Sequence, residues 1–196
     1  MKKFIIALAV TLSVLLIGIA AVGFFLPTDY QVSRTQLIAK QARAVHLYVD
    51  DLHNWQAWEP WTAADPSLAI TVGEPSSGVD ASWTCTSGEN HGVLTITSSD
   101  PDAGVSWNMD YNDGQWTARN AMTWATASGN DEHTEVTWTV TGEVPVPIVG
   151  GYLALMMDGM LGPHLAHGLE RLKLAAESVK QLKIHHEGKG FTTTLE

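Results

Sequence analysis

Between Leu68 and Glu143 the sequence alternates apolar and polar residues in short runs separated by Gly, Ser, Asn and Asp, a pattern that a sheet with one dry face satisfies. The candidate strands are Leu68 to Val72, Val79 to Thr86, Gly92 to Thr97, Gly104 to Tyr111, Gln115 to Thr126 and Thr134 to Thr141. Asn112-Asp113-Gly114 and Gly129-Asn130-Asp131 tolerate positive φ, so they predict tight hairpin turns and an antiparallel meander. Its dry face reads Ala81, Trp83, Cys85; Leu94, Ile96; Val105, Trp107, Met109, Tyr111; Met122, Trp124; and Val136, Trp138, Val140. The other face carries Ser82, Thr84, Ser106, Asn108, Asp110, Thr123, Glu135, Thr137 and Thr139, and meets water.

Such a dry face requires a cover, and the chain supplies one at its end. Leu161, Leu165, Leu169, Leu172, Ala176 and Val179 recur at steps of three and four, the stripe of a helix lying across a sheet. Gly162-Pro163 predicts a kink, or the start of the regular helix, because proline removes an intrahelical hydrogen bond. Arg171, Lys173, Lys180 and Lys183 gather towards its end, where the helix dipole favours cations. Ahead of the meander, Gln31 to Lys40 alternates as a first strand. Ala44 to Asp50 spaces Val45, Tyr48, Val49 and then Leu52 as a short helix before a Trp-rich segment.

The amino terminus differs in composition. Met1-Lys2-Lys3 precedes an uncharged run from Phe4 to Leu26, and 23 residues at helical rise span about 34 Å, the thickness of a bilayer core. Ala20-Ala21 resembles a signal cleavage site, but Val22 to Leu26 continues apolar beyond it, as in an uncleaved anchor. The expected organisation is a transmembrane anchor over 1–26, a soluble domain over 27–184 and a flexible tail over 185–196. Lys2 and Lys3 would stay cytoplasmic, leaving the domain outside the inner membrane of a bacterium. Leu195-Glu196 has the look of a cloning scar.

Charge and cysteine content exclude several classes of function. The net charge is −10, and between Ala44 and Glu170 there are 17 Asp and Glu against the single base Arg119, so phosphate backbones are repelled and no nucleic-acid partner is expected. Cys85 is the only cysteine, which rules out an intrachain disulfide or a cysteine-rich zinc site. No phosphate-binding glycine loop, Gly-x-Ser-x-Gly elbow or repeat occurs, and no cofactor is expected.

The order of strand, two short helices, six-stranded meander and long terminal helix resembles the helix-grip fold of the START-like or SRPBCC superfamily. That superfamily includes polyketide cyclase-like proteins and the major birch pollen allergen family. The segments Val45 to Asp51, Trp55-Gln56-Ala57-Trp58-Glu59-Pro60-Trp61, Gly92-Val93-Leu94, Thr134-Glu135-Val136-Thr137-Trp138 and Gly168-Leu169-Glu170-Arg171-Leu172-Lys173 are similar to a membrane-anchored bacterial branch. The resemblance covers about Asp29 to Val179. It implies an α+β fold in which an antiparallel seven-stranded curved sheet wraps a long C-terminal helix, with a cavity between them for a small hydrophobic ligand. It fixes neither ligand nor reaction.

Candidate pocket residues are the inward Trp83, Trp107, Met109, Asn120, Trp124 and Trp138 of the sheet, with Met157, Asp158 and Leu161 of the helix. The indoles serve equally well to stack around a ligand or to fill the space it needs, and a hollow below about 300 Å³ would favour a ligand-free interaction domain. Asn120 alternates with Met122 and Trp124, and would orient a ligand from inside. Asp158 lies two turns before Leu165, so it faces the interior if the helix already runs there. The plainer expectation starts the helix after Gly162-Pro163 and leaves Asp158 in a mobile Gly- and Met-rich approach, where Met156, Met157 and Met160 form a pliable gate or mere filling.

Other polar residues have structural explanations. Trp55, Trp58 and Trp61 either line an entrance or, more simply, staple the short helices to the sheet. Asp50, Asp51, His53 and Glu59 resemble acid-base machinery, but a helix cap accounts for the aspartates. His164 and His167 lie one turn apart with no third ligand nearby, so no metal is expected. Cys85 reads as an inert buried thiol. Binding is therefore the default expectation, and an enzyme of the cyclase or hydrolase kind using Asp158 or Asn120 is the alternative.

Overall fold

The meander folds as its alternation predicts, into β2 (Ala69–Val72), β3 (Ser82–Ser87), β4 (Asn90–Asp100), β5 (Gly104–Tyr111), β6 (Trp116–Ala127) and β7 (Asn130–Glu143). The computed structural model describes residues 2–127, 130–178, 182–187 and 190–195. The turn residue Gly129, the helix-stripe residue Val179, Lys180 and the terminal Glu196 lie outside the described residues. The first strand, β1 (Asp29–Ile38), pairs with β7 from Asp29 opposite Glu143 to Ile38 opposite Thr134. The resulting antiparallel sheet has seven strands in the order β1-β7-β6-β5-β4-β3-β2.

The register break between Ile96 and Ser98 in β4 sets two residues against one on β5, a bulge, and the register shifts again between Thr126 and Ala127 at the end of β6. Such features bend strands and increase local twist. They curve the sheet around its dry face. Asn112, Asp113 and Gly114 adopt φ of 48°, 58° and 80° in the β5–β6 hairpin, the positive values their side chains tolerate. The predicted inner face is buried from Ala81 to Val140, apart from Tyr111 at its rim.

Three short elements close one end. α2 (Ala42–Asp50) buries Val45 and Val49, a 3-10 turn spans Leu52–Ala57, and α3 spans Trp61–Ala64. Asp51 accepts a hydrogen bond from the His53 N–H at 3.0 Å and so caps the 3-10 turn, while Glu59 accepts from the N–H groups of Trp61 and Thr62 and caps α3. The indole N–H groups of Trp55 and Trp58 donate to the carbonyls of Val49 and Tyr48, each at 2.9 Å. Both rings are buried, so they staple these elements to the sheet and line no entrance.

The long helix differs from expectation at its start. α4 runs unbroken from Gly150 to Ser178 through Pro163, so it begins eight residues before Asp158, which was expected in a mobile approach ahead of the helix. Pro163 is exposed, and Gly159, four residues earlier, has no atom near the position its Cβ would occupy. The other glycines of α4 are contact points. Gly151 lies on Leu26, Gly162 on the Arg34 guanidinium, and Gly168 on Trp138, 2.9 Å from ring carbon Cζ3 to an added Cβ. Leu165, Leu169, Leu172 and Ala176 complete the core. Arg171 donates to the carbonyls of Glu59 and Gln56, tying α4 to the Trp-rich segment.

α1 (Lys2–Phe25) precedes the domain as one apolar helix whose hydrophobic window is unburied; its length and composition suit a signal anchor or a membrane-spanning helix. At the other end, β8 (Leu182–Glu187) and β9 (Gly190–Leu195) pair as a separate two-stranded ribbon.

Candidate ligand-binding site

Indoles occupy one half of the space between sheet and helix. Trp55 meets Trp58 at 4.6 Å, Trp107 at 5.0 Å and Trp83 at 6.0 Å between ring centroids, and Trp138 meets Trp58 at 5.7 Å and Trp107 at 5.8 Å. Tilted and edge-to-face contacts of this kind interlock the rings. Trp124 stands apart, edge-on to His46, with its N–H donated to the Pro101 carbonyl at 3.1 Å.

The other half is hollow. A cavity of about 220 Å³ lies between Tyr30 of β1, Leu94 of β4, Trp107, Met109 and Tyr111 of β5, residues 116–118 and Asn120 of β6, Val140 of β7, and Met157 and Leu161 of α4, with Trp61 at one side. Tyr111 and Trp116 are 37% and 39% exposed and mark its mouth. The volume falls below the roughly 300 Å³ under which a ligand-free interaction domain is favoured. It exceeds the roughly 150 Å³ that suffices for a benzene-sized guest.

Polar groups are few and placed on the sheet side. Asn120 is buried, and its Oδ1 accepts the Trp138 indole N–H at 3.1 Å. Because an indole only donates, this bond orients the amide and leaves Nδ2 without a hydrogen-bond partner among the described residues. The Tyr30 and Tyr111 hydroxyls likewise make no hydrogen bond to the described residues. Burial raises the Tyr30 phenol above its ordinary value. Tyr111 is pushed up to about 12, chiefly by desolvation, with smaller contributions from the nearby Cys85 and Tyr30 groups. Tyr30 itself covers Gly142, its partner across β1 and β7, an aromatic ring filling the place of a missing side chain.

Of the residues expected here, Trp107, Met109, Asn120, Met157 and Leu161 line the cavity. Trp83, Trp124 and Trp138 do not; they belong to the packed half or to its far edge. Asp158 is also outside. Its carboxylate is exposed and accepts from Arg34 Nη1 at 2.8 Å and Nη2 at 3.1 Å, and the guanidinium holds it below the usual carboxylate range. The absence of a Cβ at Gly162 lets Arg34 cross the helix to reach it. Leu94, Tyr111 and Val140, expected only on the dry face, and Trp61, expected as a staple or entrance, also line it. Thr117 was missed, as were the inward-facing Tyr30, Trp116 and Ala118. Extending the inward alternation one step before Val32 and two steps before Asn120 finds those last three.

The remaining clusters are structural. His46 Nε2 lies 2.8 Å from Ser99 Oγ, but the Ser99 hydroxyl donates to Asp50, so serine sits between histidine and carboxylate and is no activated nucleophile. His164 stacks on Trp61 at 5.8 Å, with Nδ1 3.1 Å from the Met160 carbonyl. Among the described residues no group of three His, Cys, Asp or Glu is placed to hold a metal. The Cys85 thiol is buried and burial pushes its pKa up, against a smaller opposing effect of the Gly92 backbone.

With this geometry in view, the family model described as polyketide cyclase / dehydrase and lipid transport matches residues 30–177. No curated protein is a significant match to the chain. Several solved structures share the fold. A protein from Thermobifida fusca is 22% identical with a TM-score of 0.52, covering 80% of this chain and 99% of its own. A norcoclaurine synthase from Thalictrum, solved with a transition-state analogue, is 12% identical with a TM-score of 0.55, covering 76% and 97%. Ara h 8.0201 is 10% identical with a TM-score of 0.51, covering 77% and 99%.

Proposed function

This chain belongs to the polyketide cyclase / dehydrase and lipid transport family, and from that premise we propose that it is a membrane-tethered binding or carrier domain for a small apolar or amphipathic molecule. The guest occupies the hollow between the sheet and the first half of α4. The observation that carries this reading is an apolar-walled cavity of about 220 Å³ with three polar groups free on one side: the Tyr30 hydroxyl, the Tyr111 hydroxyl and the Asn120 amide. Apolar walls supply most of the binding energy, and a few convergent polar groups fix orientation. The volume suits a single ring or the end of a longer molecule whose remainder leaves through the mouth at Tyr111 and Trp116. It does not suit a whole lipid enclosed.

α1 serves as the tether. Lys2 and Lys3 remain cytoplasmic and the domain faces outwards across the inner membrane of a bacterium, as the positive-inside rule favours. A catalytic reading of the cyclase or hydrolase kind keeps Asn120 in the hollow but not Asp158, which Arg34 engages outside it.

The test uses the full chain in detergent and 2-naphthol, an aromatic alcohol of suitable size, titrated by calorimetry. Ala118 lines the hollow, and Ala118→Phe fills it. Wild-type protein is expected to bind the naphthol, and the variant to bind at least about tenfold more weakly with its thermal transition retained. Equal affinity in the two proteins, or no binding in the wild type, overturns the reading.

A further inference from the structure

The head of α4 leaves a row of large apolar side chains uncovered. Leu155, Met156 and Met160 are 67%, 60% and 55% exposed, and Ile148 and Val149 just before the helix are about half exposed. Spacings of one, four and five place Leu155, Met156 and Met160 on one side of α4, and Tyr152, three and four residues before the first two, continues that side. A cluster of this kind on a soluble surface marks a contact with something apolar.

The adjoining helix indicates what covers it. The Tyr152 hydroxyl donates to the Ile19 carbonyl of α1 at 2.8 Å, and the Tyr152 ring and the Ile148 carbonyl close on Gly23, where an added side chain would collide with both. Ile19 lies six residues, about 9 Å, before the end of α1. At about 36 Å, α1 exceeds a hydrocarbon core of about 30 Å, so its last turn, with Phe24 and Phe25, emerges at headgroup level. Tyr152 therefore reaches down beside the emerging helix, and the exposed row runs on from it along α4 through Met160, about 12 Å further.

We propose that the head of α4 is a membrane-contact surface: Ile148, Val149, Leu155, Met156 and Met160 dip into the outer boundary of the bilayer that α1 spans. This rests on the reading of α1 as a membrane-spanning helix. Met157 and Leu161, each one residue beyond an immersed methionine, form the helical wall of the cavity, so a guest dissolved in the membrane meets the hollow at its lipid-facing edge. The driving force is apolar burial, because a chain of net charge −10 gains nothing from anionic headgroups.

The experiment places single cysteines in a full-length Cys85→Ala background, labels them with an environment-sensitive fluorophore and reconstitutes the protein in phosphatidylcholine vesicles containing spin-labelled lipid. Leu12→Cys reports on α1, Met156→Cys on the proposed surface, and Leu37→Cys on the far end of β1, about 25 Å along the strand from Asp29. Quenching at Leu12→Cys and Met156→Cys but not at Leu37→Cys is expected. Quenching at Leu12→Cys alone overturns the surface while the tether stands. A loss of quenching at Leu12→Cys overturns both readings, and equal quenching at Leu37→Cys overturns a contact specific to α4.

Discussion

Trp138 on β7 donates its indole N–H to Asn120 Oδ1 on β6 at 3.1 Å, across a diagonal of the strand pair in which Met122 faces Trp138. One bond thus joins the packed half of the interior to the hollow half. Asn120→Ala leaves the buried indole N–H unpaired and is expected to lower the unfolding free energy by about 1–3 kcal/mol in urea titrations. Adding Trp138→Phe to that variant should then cost less than it does in the wild type, because the N–H it removes is already without its partner.

The α4 glycines make opposite predictions. At Gly168 an added Cβ meets Trp138 at 2.9 Å and Pro60 at 3.3 Å, so Gly168→Val forces helix and sheet apart and is expected to cost about 1–3 kcal/mol. Gly159 has open space around it, and Gly159→Ala should raise stability by about 0.5–1 kcal/mol through helix propensity alone. Thermal unfolding of the two variants checks the pair.

These glycines also show where sequence reading reached its limit. Alternation along the strands identified the inner face and the Leu165-Leu169-Leu172 stripe because burial repeats with the period of the element. Gly150, Gly151, Gly159 and Gly162 look in sequence like a helix breaker, and so the start of α4 was expected after Pro163. Three of the four are instead places where Val144, Leu26 and Arg34 approach too closely for a side chain. Such contacts join residues far apart in the chain and leave no local period. The same holds for Asp158, whose partner Arg34 lies 124 residues away. Which indoles fill the interior and which border a void depends on sheet curvature, and alternation is blind to it. Hence alternation could not tell that Trp107 borders the cavity while Trp83, Trp124 and Trp138 do not.

The raised phenols give a pH dependence with a definite sign. Tyr111 titrates near 12 in the folded chain against an ordinary 10.0, so between these values the folded state holds a proton that the unfolded state has released. Stability is therefore expected to fall as pH rises from about 10 through 12. Tyr111→Phe should flatten that fall, and phenolate absorbance during alkaline titration should show one tyrosine ionising late that the variant lacks. A titration identical in both proteins would remove the assignment.

Asp158→Asn separates surface from site. The pair with Arg34 is solvent-exposed and screened, so its loss is expected to leave the thermal transition nearly unchanged and ligand affinity unchanged within a factor of about two. A large loss of binding on calorimetry would return Asp158 to the cavity.

The account rests on a hollow that holds a guest. Its most direct test extracts the full-length protein gently from membranes and identifies by mass spectrometry any small molecule that travels with it, alongside Ala118→Phe prepared in the same way. An apolar or amphipathic molecule near one per chain in the wild type, and absent from the variant, is the predicted result. A wild-type protein that carries nothing, or a filled variant that carries the same load, contradicts it.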